Sequence, residues 1–122
     1  MRNNLARLLF VMAASTSFAI LSGPGANASV TYGAISVSDT SGRVATVPST
    51  YPTWQDAANA ANTRCGYYDC GYVTVWQTGQ CGAAARASNG HWGGAAASTL
   101  ANAETTAKWN AGQDAVVYAR GC

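Results

Sequence analysis

The sequence predicts an α+β fold: two diverged ββαβ repeats folded into one small, disulfide-stapled domain. Two stretches carry this reading. From Thr53 onward, a capped, alanine-lined helix runs into a six-residue cysteine clip, Cys65-Gly66-Tyr67-Tyr68-Asp69-Cys70, and then a β-branched strand, Tyr72 to Trp76. At Cys81 the order of strand, turn, strand, cap and helix begins again. Four cysteines in a domain too short to bury a large core supply staples that such domains often need.

Residues 1–28 read as a cleaved signal peptide. Arg2 and Arg7 give the charged start, Leu8 to Leu21 an apolar run short for a membrane span, and Ala26-Asn27-Ala28 a small-x-small cleavage site. No second apolar run stops transfer, so the mature chain, 29–122, is expected outside the cell or in its envelope, with no membrane contact after cleavage. The formal excess of +2 comes from Arg2 and Arg7, so the mature chain sets five cations against five carboxylates. A neutral domain exerts little long-range pull on phosphate backbones, which excludes nucleic acid as an expected partner.

Each element follows from local chemistry. In repeat one, about 31–77, Thr31 to Ser38 alternates as a half-buried strand does. Asp39-Thr40-Ser41-Gly42 is turn chemistry. Arg43 to Val47 is a second strand, expected to end at Pro48. Thr53 is the N-cap, since its hydroxyl can accept from a first-turn N–H that has no intrahelical partner. Asp56 suits the positive pole of the helix and Arg64 the negative one. Trp54, Ala57, Ala58 and Ala61 share one face, and Gly66 can take the left-handed conformation that ends a helix.

In repeat two, about 81–122, Cys81-Gly82-Ala83-Ala84 answers Tyr32-Gly33-Ala34-Ile35, and Asn89-Gly90 marks a tight hairpin before a strand from His91 to Ala97. Thr99 answers Thr53 as cap, Asn102 answers Asp56, and Ala103 and Ala107 answer Ala57 and Ala61. Val116 to Ala119 closes the unit. Three disulfide pairings are possible. The clip cysteines both have alanine counterparts, Ala111 and Ala115, and loss of both together is what a bonded pair would show. This favours Cys65–Cys70 and leaves Cys81 for Cys122.

These residues resemble a family. Tyr32 to Ile35, Tyr-Pro-Thr before an alanine-rich helix (Tyr51 to Ala61), Arg64 to Trp76 and the Cys-Gly-Ala restart (Cys81 to Ala83) are similar to the secreted actinobacterial, mycobacterial-type proteins grouped as domain-of-unknown-function family 4189. The resemblance implies secretion, no established activity, and members suspected of acting on host cells. It brings no catalytic residues. The chain departs from members whose second copy also carries cysteines, having Ala111 and Ala115 there.

No motif for catalysis, phosphate or metal stands out, and no cofactor is expected. His91, the single histidine, is the weak catalytic candidate; it follows a tight turn and reads as a surface residue. Cys65, Cys70, Cys81 and His91 nominally suit zinc, but an oxidising compartment favours disulfides. Trp54, Trp76 and Trp109 are expected to fill the core beside the alanines and glycines. Tyr67, Tyr68 and Trp92 are the binding candidates, because loop and turn aromatics serve recognition. The leading expectation is a monomeric, non-catalytic recognition or effector module for a protein or glycan partner. The alternatives are a small secreted hydrolase using His91 and an envelope structural protein.

Overall fold

In the computed structural model, residues 29–122 are described; the expected signal peptide, 1–28, lies outside them. The element order is β1 (Tyr32–Val37), β2 (Val44–Tyr51), α1 (Trp54–Cys65), β3 (Gly71–Gln77), β4 (Cys81–Arg86), β5 (Trp92–Ala97), α2 (Leu100–Ala111) and β6 (Val116–Gly121). The class is α+β, built from two ββαβ units. Each unit makes its own antiparallel sheet with its first strand in the middle: β2-β1-β3 and β5-β4-β6.

The two units match down to register. Gly33 pairs with Trp76 as Gly82 pairs with Gly121. The pairing slips between Ile35 and Ser36 in the first sheet and between Ala84 and Ala85 in the second, leaving Val73 and Tyr118 as equivalent bulged residues. Both helices begin on a threonine whose Oγ1 accepts from the third residue on: Asp56 N–H to Thr53 at 3.1 Å and Asn102 N–H to Thr99 at 3.2 Å. Near both helix ends a side chain donates to the edge strand of the same sheet. Arg64 Nη1 reaches the Thr46 carbonyl at 3.1 Å, and Asn110 Nδ2 the equivalent Gly94 carbonyl at 3.0 Å.

Three apolar layers hold the elements. Ala34 and Val47 meet Ala57 and Ala61 between α1 and the first sheet. Cys81, Ala83 and Ala85 meet Ala103, Ala107 and Ala111 between α2 and the second. Ile35, Val37, Trp76 and Ala84 pack between the two sheets. The sheets therefore stack face to face with a helix on each outer side. This corrects the expectation for β1: it is covered on both faces rather than half-buried, and Gly33 to Ser38 are all buried. Its polar helix-facing residue, Ser36, is satisfied by Asn62 Oδ1 of α1.

Two further expectations change. β2 does not stop at Pro48 but continues to Tyr51, which pairs with Tyr32. Pro48 is tolerated because β2 is an edge strand and the pairing slips there, between Ala34↔Val47 and Tyr32↔Tyr51. Of the three tryptophans expected inside, Trp76 alone is buried, at 1% exposure; Trp54 is 42% and Trp109 85% exposed. The helices lie too close to the sheets for an indole: a Cβ on Gly93 would stand 2.6 Å from the Ala107 carbonyl oxygen of α2. Room for a fully buried indole exists instead between the sheets. There Gly33, Gly82 and Gly121 surround Trp76, and a Cβ on Gly33 or Gly82 would come within 2.7 Å of its ring carbons.

Cys65 is bonded to Cys70, and Cys81 to Cys122, five and 41 residues apart in sequence. The clip closes the end of α1, where Gly66 takes φ 73° and ψ 18°. The second bridge ties the first residue of β4 to the chain end.

Candidate functional site

The β1–β2 turn, the clip with the start of β3, and the β4–β5 turn meet at one end of the stacked sheets. They enclose a groove of about 740 Å³. Val37 and Asp39 come from the first hairpin, Asp69 from the clip, and Gly71, Tyr72 and Val73 from β3; Arg86 and Asn89 to Trp92 supply the opposite wall.

Hydrogen bonds fix this end. Asp69 staples the clip to the first turn: its Oδ1 accepts from the Ser38 hydroxyl, and its Oδ2 from the Thr40 N–H at 2.9 Å and the Thr40 hydroxyl at 2.8 Å. These donors, Ser38 foremost, hold its carboxyl below the ordinary aspartate value of 3.8. Asp114 does the same in the second unit. It accepts from the Ser88 hydroxyl and from the Ser88 N–H at 3.1 Å, and its pKa is likewise lowered. Arg86 bridges the units, with Nε donating to the Gly90 carbonyl and Nη2 to the Asp39 carbonyl, both at 3.1 Å. Its guanidinium lies 4.8 Å above the Trp92 ring, whose other neighbour is Tyr118, edge-on at 5.3 Å.

His91 stands at the groove rim, exposed. Its N–H donates to Asn89 Oδ1 at 2.9 Å, and its imidazole has no hydrogen-bond partner among the described residues. A general base needs an orienting acid and a nucleophile within reach. Of the groove carboxylates, Asp69 is committed to Ser38 and Thr40 and Asp39 makes no hydrogen bond to His91, and among the described residues no serine or threonine lines the groove. Among the described residues no group of three or more His, Cys, Asp or Glu stands together as a metal site would require.

Trp92 and His91 thus fall in the groove, while Tyr67 and Tyr68 sit on the adjoining clip outside its lining. The two tyrosines lie 5.1 Å apart, centroid to centroid, and Tyr68 is 84% exposed. The loop beneath them is anchored by the disulfide, by Asp69, and by Arg43 Nη1 donating to the Gly66 carbonyl at 3.3 Å. The sequence reading missed Asp39, Tyr72, Arg86 and Asn89 as groove residues. Asp39 and Asn89 carry local signals, in each case for a turn. A second hollow, of about 630 Å³, lies along the C-terminal half of α2, where Trp109 stands beside Thr105, Lys108 and Gln113.

Fold and site together define a small disulfide-stapled α+β protein of paired ββαβ units, with an open groove formed by both units at their hairpin end. Residues 32–122 match the family model described as Domain of unknown function (DUF4189), and the chain belongs to that family. No curated protein and no solved structure matches.

Proposed function

We propose that the protein is a secreted recognition module that acts by binding, with the clip and the neighbouring groove as its contact surface. The observation that carries the reading is Tyr68, 84% exposed on a loop anchored by a disulfide and by the carboxylate of Asp69. A large aromatic side chain presented on a rigid support contributes contact area at small entropic cost, as interface hot spots do. Export fits a chain whose four cysteines all form disulfides and whose N-terminal residues follow the signal-peptide pattern. A hydrolase reading would require a partner for the His91 ring.

The test is cross-linking capture of extracellular and envelope components by the oxidised protein and by matched variants. Combined Tyr67→Ala and Tyr68→Ala should abolish a saturable partner, while Trp109→Ala, on the other side of the molecule's second sheet, should retain it. Equal capture by all three proteins, with unchanged melting curves, would refute the reading.

A further inference from the structure

We infer that the groove between the two hairpin turns is a binding site for a neutral oligosaccharide. This rests on the recognition reading and names the ligand class of one part of that surface.

Three polar groups in the groove have hydrogen-bonding capacity that the fold does not use. The Asp39 carboxylate, an acceptor, makes no side-chain hydrogen bond among the described residues; only its backbone carbonyl is engaged, by Arg86. Asn89 accepts the His91 N–H through Oδ1 and keeps both Nδ2 donors. The His91 imidazole presents two ring nitrogens without a partner among the described residues. Sugar hydroxyls both donate and accept, and neighbouring hydroxyls bridge planar carboxylate and amide groups well. Tyr72, 48% exposed and backed by the Trp54 ring at 5.9 Å, stands on the β3 side, where a pyranose C–H face can pack on an aromatic ring.

Charge narrows the class. Asp39 and Asp69 oppose an anion, and Arg86, the one lysine or arginine lining the groove among the described residues, is turned to two carbonyls and the Trp92 face. That same guanidinium opposes a cationic ligand. A peptide adding as a strand needs a run of unpaired backbone along β3. That run is broken at the Val73 bulge, where β5 packs so close that a Cβ on Gly94 would stand 2.8 Å from the Val73 carbonyl carbon.

Comparison of the two units adds an independent argument. Positions that build the fold keep their chemistry: Gly33 and Gly82, Thr53 and Thr99, Asp69 and Asp114. At the groove, His91 and Trp92 stand where the first unit has Arg43 and Val44, and Arg86 where it has Val37. The scaffold accepts either set, so folding alone does not demand the groove residues.

The test is a backbone-amide NMR titration of the oxidised protein. The probes are neutral tetrasaccharides of glucose, mannose, galactose and N-acetylglucosamine, with a sulfated heparin tetrasaccharide as the anionic arm. At least one neutral probe should give saturable shifts centred on Gly71, Tyr72 and Asn89 to Trp92. Asn89→Asp, which keeps the acceptor for the His91 N–H but loses the amide donors, and Asp39→Asn should each weaken binding about tenfold. Trp109→Ala should leave it unchanged. Shifts from the sulfated probe alone, shifts confined to Tyr67 and Tyr68, unchanged affinity in both groove variants, or no shift from any probe would each overturn the inference. Should the clip-dependent partner persist while no saccharide moves the groove amides, this inference falls and the recognition reading stands.

Discussion

Trp76 and Gly121 hold the same place in the two units, opposite Gly33 and Gly82 respectively, and the indole of the first lies over the missing side chain of the second. A Cβ on Gly121 would stand 3.2 Å from Trp76 Cζ2. The Trp76 ring therefore serves both sheets, and the second unit makes room for it by carrying glycine at the matching position.

The Trp76 contact with Gly82 is accordingly tight. Trp76→Ala should cost about 3–5 kcal/mol, as large-to-small core changes do. Gly82→Ala, whose new Cβ would press on the indole, should cost about 1–3 kcal/mol or more. In a denaturant-melt double-mutant cycle, Gly82→Ala should be far less harmful beside Trp76→Leu than beside Trp76. Additive losses would show that the two positions do not share one space.

Acid should loosen the hairpin end. The folded pKa values of Asp69 and Asp114 lie below 3.8. Each carboxylate therefore stabilises the fold above its unfolded pKa, and that contribution disappears as pH falls through the folded one. Thermal melts followed down through that range should show a falling Tm, and Asp69→Asn should flatten the fall. A slope unchanged in Asp69→Asn and in Asp114→Asn would assign acid sensitivity elsewhere.

The two disulfides should differ in value. Loop-entropy scaling gives about 4 kcal/mol for a 41-residue separation and about 2 kcal/mol for one of five. Replacing Cys81 and Cys122 with serine should lower the urea midpoint more than replacing Cys65 and Cys70. The clip pair should instead raise hydrogen exchange locally, around Tyr67 to Gly71.

Thr53→Ala and Thr99→Ala should each cost about 1 kcal/mol, and the corresponding serine variants much less. Chemical denaturation of the four proteins checks this. Equal losses from serine and alanine would mean that the methyl group, not the hydroxyl, matters.

The features visible in the sequence are the ones whose partners lie a few residues away. Thr53 meets Asp56 N–H, and Gly66 ends α1 by donating to the Asn62 carbonyl, so both are set by local backbone geometry. Burial of an indole is a different matter. Trp109 is exposed because Gly93 brings α2 almost onto β5, a spacing that no window around Trp109 reveals. The groove divides in the same way. His91 stands out as the single histidine and Trp92 as an aromatic beside the Asn89-Gly90 turn, whereas Arg86 reaches the Asp39 carbonyl across 47 residues, at the end of an alanine run with no local signature.

The bridge between Cys81 and Cys122 places Cys122 at the foot of β4, and Thr31, bonded to Thr78, places the start of β1 at that same foot. Asp39, Arg86 and Asn89 crown the opposite tip. The unit 31–122 is polar in the geometric sense, with Thr31 and Cys122 behind and the groove in front. A linkage attached beside Thr31 or Cys122 would leave the groove facing outward. An array of such molecules on a support would present every groove to the solution.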